Sequence, residues 1–207
     1  MFKTAWLEAL LGLRCPGCGA PLDQPTLCKA CAAELVPRYL PNWVYLGSYA
    51  RFGGLSRGIK YRGHRELAVW VGHQLGRGVR QVGWPIEAVT AVPTLYYRQA
   101  QRGYNQAELI ARAVAQELGV PYRAALSRVR YSKSQTRKTL LQRLELPQDT
   151  FAPRAPLGGH WLLVDDVVTT GTTFSRAKAA LLGAGAARVY GAAIAIKSPY
   201  QLSRFSL

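Results

Sequence analysis

The stretch WLLVDDVVTTGTTF, residues 161–174, sets two adjacent carboxylates, Asp165 and Asp166, behind an apolar run and wraps four threonines around Gly171. A strand core gains nothing from two carboxylates, so their use lies in accepting hydrogen bonds from a ligand. The pattern reads as strand, loop and helix N-terminus. Backbone N–H groups of Thr169–Thr173 can converge there on one anion, and the helix dipole favours negative charge at that point. Gly171 lets the backbone come close, while the hydroxyls of Thr169, Thr170, Thr172 and Thr173 add donors. Val167 joins the acids to this loop. A carboxylate repels phosphate, so the acids must serve another part of the ligand, and vicinal sugar hydroxyls suit them. A ribose 5-phosphate meets both demands.

A second constellation holds all four cysteines: Cys15-x2-Cys18, nine residues, then Cys28-x2-Cys31. Paired C-x2-C knuckles on a short loop match a tetrahedral zinc–thiolate site. Two disulfides are the competing arrangement, but a cytoplasmic chain keeps such thiols reduced. A redox pair would follow a strand and open a helix, and neither pair does. Structural zinc is therefore expected on Cys15, Cys18, Cys28 and Cys31.

Two further stretches offer cations beside polar and aromatic groups. RQAQRGYNQAE supplies Arg98, Arg102, Tyr104 and Asn105 after the strand that ends near Pro93 and Thr94. Arg102 and Asn105 can hold a diphosphate or a nucleic-acid backbone; alternatively Asn105 caps the following helix and Tyr104 packs beside it. RVRYSKSQTRKT carries Arg128, Arg130, Lys133, Arg137 and Lys138 around Tyr131, and Lys60 and Arg62 belong to a similar cluster. A basic segment with an aromatic suits contact with a single strand, although a solvated basic loop reads the same way. His64, His73 and His160 have no spaced partner and read as structural or surface residues.

The elements that must position these groups alternate. Strands are expected at 44–49, 88–92, 122–129, 161–164 and 188–196. Helices are expected at 54–81, broken near Gly63, and at 104–118, 135–144 and 173–182. Such alternation predicts an α/β domain with a mostly parallel sheet, whose ligands bind beyond the carboxyl ends of its strands. That rule puts 165–173 and 93–106 on one edge. VPRYLPN, residues 36–42, reads as a linker, so the chain divides into 1–36 and 43–207. Phe2, Trp6, Leu10 and Leu13 recur at helical spacing and predict a short amphipathic helix.

The chain has 207 residues, with 27 Lys and Arg against 11 Asp and Glu, for a formal net charge of +16. Residues 37–150 hold 18 of those basic groups and only 6 of the acidic ones. This imbalance favours polyanionic partners, either nucleic acid or a phosphorylated small molecule. No stretch reads as a membrane span, so an integral membrane protein is not expected. The expected location is the cytoplasm, with the inner face of the membrane as the alternative.

LLVDDVVTTGTT resembles the phosphoribosyl-pyrophosphate (PRPP) motif of the type I phosphoribosyltransferases. The four-cysteine ribbon, IKYRGHRELA at 59–68, VPTLYYRQAQRGYNQAELIAR at 92–112 and RYSKSQTRKTLLQRLE at 130–145 follow in order. Together they resemble the competence protein F (ComF) family over nearly the whole chain. By these resemblances Asp165 and Asp166 face the ribose 2′- and 3′-hydroxyls, and Thr169–Thr173 hold the 5′-phosphate. Pro93, Thr94, Arg98, Arg102 and Asn105 fall in the pyrophosphate loop. The segment around Tyr131 corresponds to the loop that closes over the site.

The resemblance implies a role in natural transformation, handling single-stranded DNA as it enters the cytoplasm, with a helicase-like partner in the uptake machinery. The expected architecture is a type I phosphoribosyltransferase-like α/β domain with a small N-terminal zinc ribbon. Its expected ligands are single-stranded DNA and a phosphoribosyl or nucleotide group. The alternative is an active phosphoribosyltransferase that uses magnesium-PRPP with an unknown acceptor; the residues identify neither its acceptor pocket nor its base.

Overall fold

A computed structural model describes residues 13–22, 27–61, 65–94, 103–129 and 150–198. Its main sheet has five strands in the order β3-β4-β9-β8-β5: Arg38–Leu40, Trp43–Ser48, Arg188–Ile196, His160–Val168 and Ala88–Ala91. β4, β9, β8 and β5 run parallel, and β3 joins the edge antiparallel to β4. Two short antiparallel pairs stand apart: β1 (Leu13–Arg14) with β2 (Pro21–Leu22), and β6 (Leu126–Arg128) with β7 (Phe151–Pro153).

Helices cover both faces, as a mostly parallel sheet requires. Helix α2 (Tyr49–Tyr61), α3 (Arg65–Val82) and α4 (Gln106–Leu118) pack on one face, burying Leu55, Ile59, Leu75 and Ile110 against Val44, Leu162 and Ile194. Helix α5 (Thr172–Gly183) and the β6–β7 pair cover the other face, where Trp43 and Phe174 meet with ring centroids 4.1 Å apart. α3 and α4 approach closely because a side chain is missing at Gly72. A Cβ there would lie 2.6 Å from both the Ala113 Cβ and the Ile110 carbonyl oxygen.

The helical run expected from Gly54 arrives as α2 and α3, on either side of residues 62–64. VPRYLPN, expected as a linker, instead supplies β3. Pro41 and Asn42 turn the chain into β4, and Asn42 takes the left-handed conformation at φ 62°. Asparagine tolerates that region better than other non-glycine residues. The strand expected at 122–129 is split into a bridge from Tyr122 to Val89 and the short β6. Leu13 lies in β1 rather than at the end of a helix. Phe2, Trp6, Leu10 and the helix expected at 135–144 lie outside the described residues. No described helix is long and apolar enough to cross a membrane.

Candidate functional site

The cysteine cluster assembles from two knuckles. Cys15 and Cys18 follow β1. Against the expectation that neither pair opens a helix, Cys28 caps helix α1 (Lys29–Glu34) and Cys31 lies within it. Their four Sγ atoms lie within 4.8 Å of one another, and Cys18 and Cys28 are 3.6 Å apart. Zn–S bonds of about 2.3 Å in a tetrahedron put the sulfurs roughly 3.8 Å apart, so the four thiols fit a zinc ion. Zinc there would cross-link a segment too small to hold a core of its own.

Backbone N–H groups face the sulfurs, with Cys28 donating to Cys15 and Cys31 donating to Cys28, each at 3.4 Å. Burial pushes the Cys15 thiol up, but the amides of Cys28, Gly17 and Cys18 outweigh it and bring it to about 7. Burial pushes Cys31 up to about 12, against the opposing pull of Arg51.

Arg51, at the start of α2, joins this ribbon to the sheet domain. Its guanidinium donates to the Gly17 carbonyl at 2.8 Å, to Cys31 Sγ at 3.4 Å and to both Glu34 carboxylate oxygens at 2.9 Å. Neither Arg51 nor Glu34 belongs to a motif, and only the folded chain brings them to the cysteines.

The acid–threonine stretch occupies the carboxyl edge of the sheet. β8 runs on through both aspartates to Val168, and the chain then turns at Thr169–Gly171 into α5. Gly171 is the N-cap at φ 79°, a region that glycine enters without steric penalty. Among the described residues, the glycine N-cap offers α5 no side-chain cap and no carboxylate lies in its first turn. Of its leading N–H groups, that of Thr172 reaches the Thr170 hydroxyl at a long 3.5 Å, and such groups at a helix start have no acceptor within the helix itself. Thr170 and Thr172 hydroxyls lie 3.1 Å apart, and Thr169 and Thr170 are exposed.

The two acids differ in setting. Asp165 is half-buried, and its Oδ1 accepts from the Asp166 N–H at 2.8 Å. Asp166 is buried. Its Oδ1 accepts from the Val167 N–H at 2.9 Å, and its Oδ2 from the Ser56 hydroxyl at 2.5 Å. Ser56, on α2, has no signal in the local sequence, because its partner lies more than a hundred residues along the chain.

β5 lies beside β8 with Ala91 opposite Val164, so Pro93 and Thr94 emerge on the same edge as Asp165. They border a cleft of about 280 Å³, walled also by Tyr122, Ser127, Arg128 and Arg154. Asn105 lines it too, as the cap of α4: its Oδ1 accepts from the Ala107 N–H at 3.2 Å and its amide donates to the Val92 carbonyl at 3.3 Å. Tyr104 packs in the core and donates to the Ile59 carbonyl. Arg128 lies over the Phe151 ring, 5.4 Å from its centroid. Arg62, Arg98, Arg102, Arg130, Tyr131, Lys133, Arg137 and Lys138 lie outside the described residues, as does the side chain of Lys60. His73, read as a lone residue, pairs through Nδ1 with Glu117 at 3.0 Å.

The family described as "Phosphoribosyl transferase domain" matches residues 105–202, which hold the acid–threonine stretch. The "DNA utilization protein YhgH" of Salmonella typhi is 30% identical over 187 residues, covering 84% of this chain and 80% of its own. The "Competence protein F" of Haemophilus influenzae is 27% identical over 205 residues, covering 86% of this chain and 89% of its own. A solved glutamine PRPP amidotransferase from B. subtilis aligns with 63% of this chain and 26% of its own, at TM-score 0.46 and 21% identity. A cysteine cluster that can hold a metal, a mostly parallel sheet ending in an acid–threonine loop, and relatedness over most of the chain agree: the protein belongs to the family of DNA utilization protein YhgH and competence protein F, with a phosphoribosyltransferase-type fold.

Proposed function

We propose that the chain handles single-stranded DNA during natural transformation, and that it holds the ribose 5-phosphate part of a phosphoribosyl or nucleotide ligand at the carboxyl edge of its sheet. The acid-free first turn of α5, opening on the glycine N-cap Gly171 beside Asp165 and Asp166, is the observation that carries the reading. Helix-start N–H groups and threonine hydroxyls suit a phosphate. The neighbouring carboxylates suit vicinal hydroxyls and disfavour a second phosphate in their place. Zinc on the four cysteines is structural in this reading.

DNA enters through charge. With a net +16, the chain carries the field that draws a polyanion, and Arg128 with the basic residues following it would track the backbone. Binding of a fluorescent single-stranded oligonucleotide, measured across a salt series, tests this. Each phosphate contact contributes about −0.7 to the slope of log affinity against log salt, so four or more contacts give roughly −3 or steeper. Weak binding at low salt, or a flat dependence, rejects the DNA role. A melting temperature that ribose 5-phosphate and magnesium-PRPP leave unmoved rejects the pocket.

An active phosphoribosyltransferase is the second reading, and the polar cleft beside Pro93 and Thr94 favours it by leaving room for a second reactant. Magnesium-PRPP would be the donor substrate. The acceptor would bond to C1 of the ribose as pyrophosphate departs. Pyrophosphate release from magnesium-PRPP, compared with and without a panel of nucleobases, separates this reading from binding alone.

A further inference from the structure

Ser56 belongs to no motif, yet it reaches Asp166, the buried member of the acid pair. Its hydroxyl donates to Asp166 Oδ2 at 2.5 Å, and the two residues are 4% and 7% exposed. A hydroxyl-to-carboxylate bond of that length is in the charge-assisted range, among the stronger side-chain hydrogen bonds. The donor is also held firmly. Phe52, Leu55 and Ile59 bury the same helix in the core, leaving Ser56 little freedom to follow a moving carboxylate.

We propose that Ser56 is a positioning residue for the ribose-phosphate site: it fixes the Asp166 carboxylate in the orientation that meets a ribose hydroxyl. The inference rests on the ribose 5-phosphate reading given above. With the Val167 N–H on Oδ1 and Ser56 on Oδ2, both oxygens are anchored and the carboxylate plane is set. Without Ser56 the side chain would turn towards other donors, and each ligand that binds would have to reorder it.

A purely structural role for Ser56 makes a different prediction, because loosening the whole edge would harm every ligand equally. The experiment therefore compares inorganic phosphate, which needs only the threonine loop, with ribose 5-phosphate, which needs the acids as well. Calorimetric titrations would use the full chain, zinc-loaded, well below its melting temperature. Ser56→Ala is expected to weaken ribose 5-phosphate about tenfold, as for loss of a hydrogen bond to a charged group, and to leave inorganic phosphate unchanged.

In an Asp166→Asn background the same substitution should add little, because Ser56 acts through that carboxylate. If Ser56→Ala does not fold, the isosteric pair Ser56→Thr and Ser56→Val carries the comparison, with threonine expected to bind more tightly. Equal losses for both ligands, no loss for either, or full additivity with Asp166→Asn overturns the positioning role. A parent protein that binds phosphate but gains nothing from the ribose overturns the underlying reading instead.

Discussion

Gly17→Ala should damage the proposed zinc site without replacing any of its four cysteines. A Cβ at this position would lie 2.8 Å from Cys31 Sγ, 3.3 Å from Cys31 Cβ and 3.7 Å from Cys15 Sγ. Comfortable contacts between heavy atoms of this kind begin near 3.5 Å, so relief needs a displacement of about 0.7 Å or more. Metal–sulfur distances tolerate only about 0.2 Å of error. Cys31 cannot yield, because it belongs to α1, is 1% exposed and lies against the Arg51 guanidinium. The methyl group must therefore stretch the metal site or shift the knuckle backbone. Either result should lower zinc affinity about 10- to 100-fold, the range seen when the groups supporting a metal site are disturbed. Competition with a chromophoric chelator measures it. Gly158→Ala, whose Cβ would meet nothing within 4 Å, is the matched control. A Gly17→Ala protein that holds zinc as tightly as the parent would refute the argument from close approach.

Gly171→Ala should cost about 1–2 kcal/mol in urea denaturation, because φ is 79° there, and should weaken phosphate binding in calorimetry. Phe174→Ala should cost about 3–5 kcal/mol by the same denaturation assay, since it removes a ring that is 2% exposed and packed on Trp43. Burial pushes the Tyr122 phenol up to about 12; Glu108 adds to that, and Arg112 and Arg154 oppose it. A raised phenol binds its proton more tightly in the folded state, so its stabilising contribution is whole below about pH 10 and is lost as pH rises through 12. Tyr122→Phe should flatten that alkaline fall, as read by chemical denaturation across the pH range.

Where structure depends on neighbours in the chain, it was legible. VDDVVTTGTT needs only a strand, a turn and a helix start, and their order along the backbone already fixes how acids and loop relate. Cysteine spacing carries the same kind of information, since two C-x2-C knuckles meet whenever the loop between them closes. Ser56 and Arg51 were not legible, because each acts on a partner brought near only by the packing of α2. β3 was missed for a different reason: its flanking prolines signal a break, and only pairing with β4 turns three residues into a strand. Asn105 shows the limit of reading residue type alone, since a side chain read as able to hold a diphosphate also caps α4 and ties Val92.

The strand order β3-β4-β9-β8-β5 has a consequence for synthesis. β4 and β5 leave the ribosome early, yet each finds its parallel neighbour only in β9 or β8, near the end of the chain. Until then β4 and β5 have unpaired edges and uncovered apolar faces, which makes the nascent chain a client for chaperones. Pairing of β5 with β8 is also the event that brings their carboxyl ends together, so that edge is completed only after translation has delivered β8. A ribosome stalled between β7 and β8 would therefore hold a chain able to form its cysteine cluster but without its acid–threonine loop.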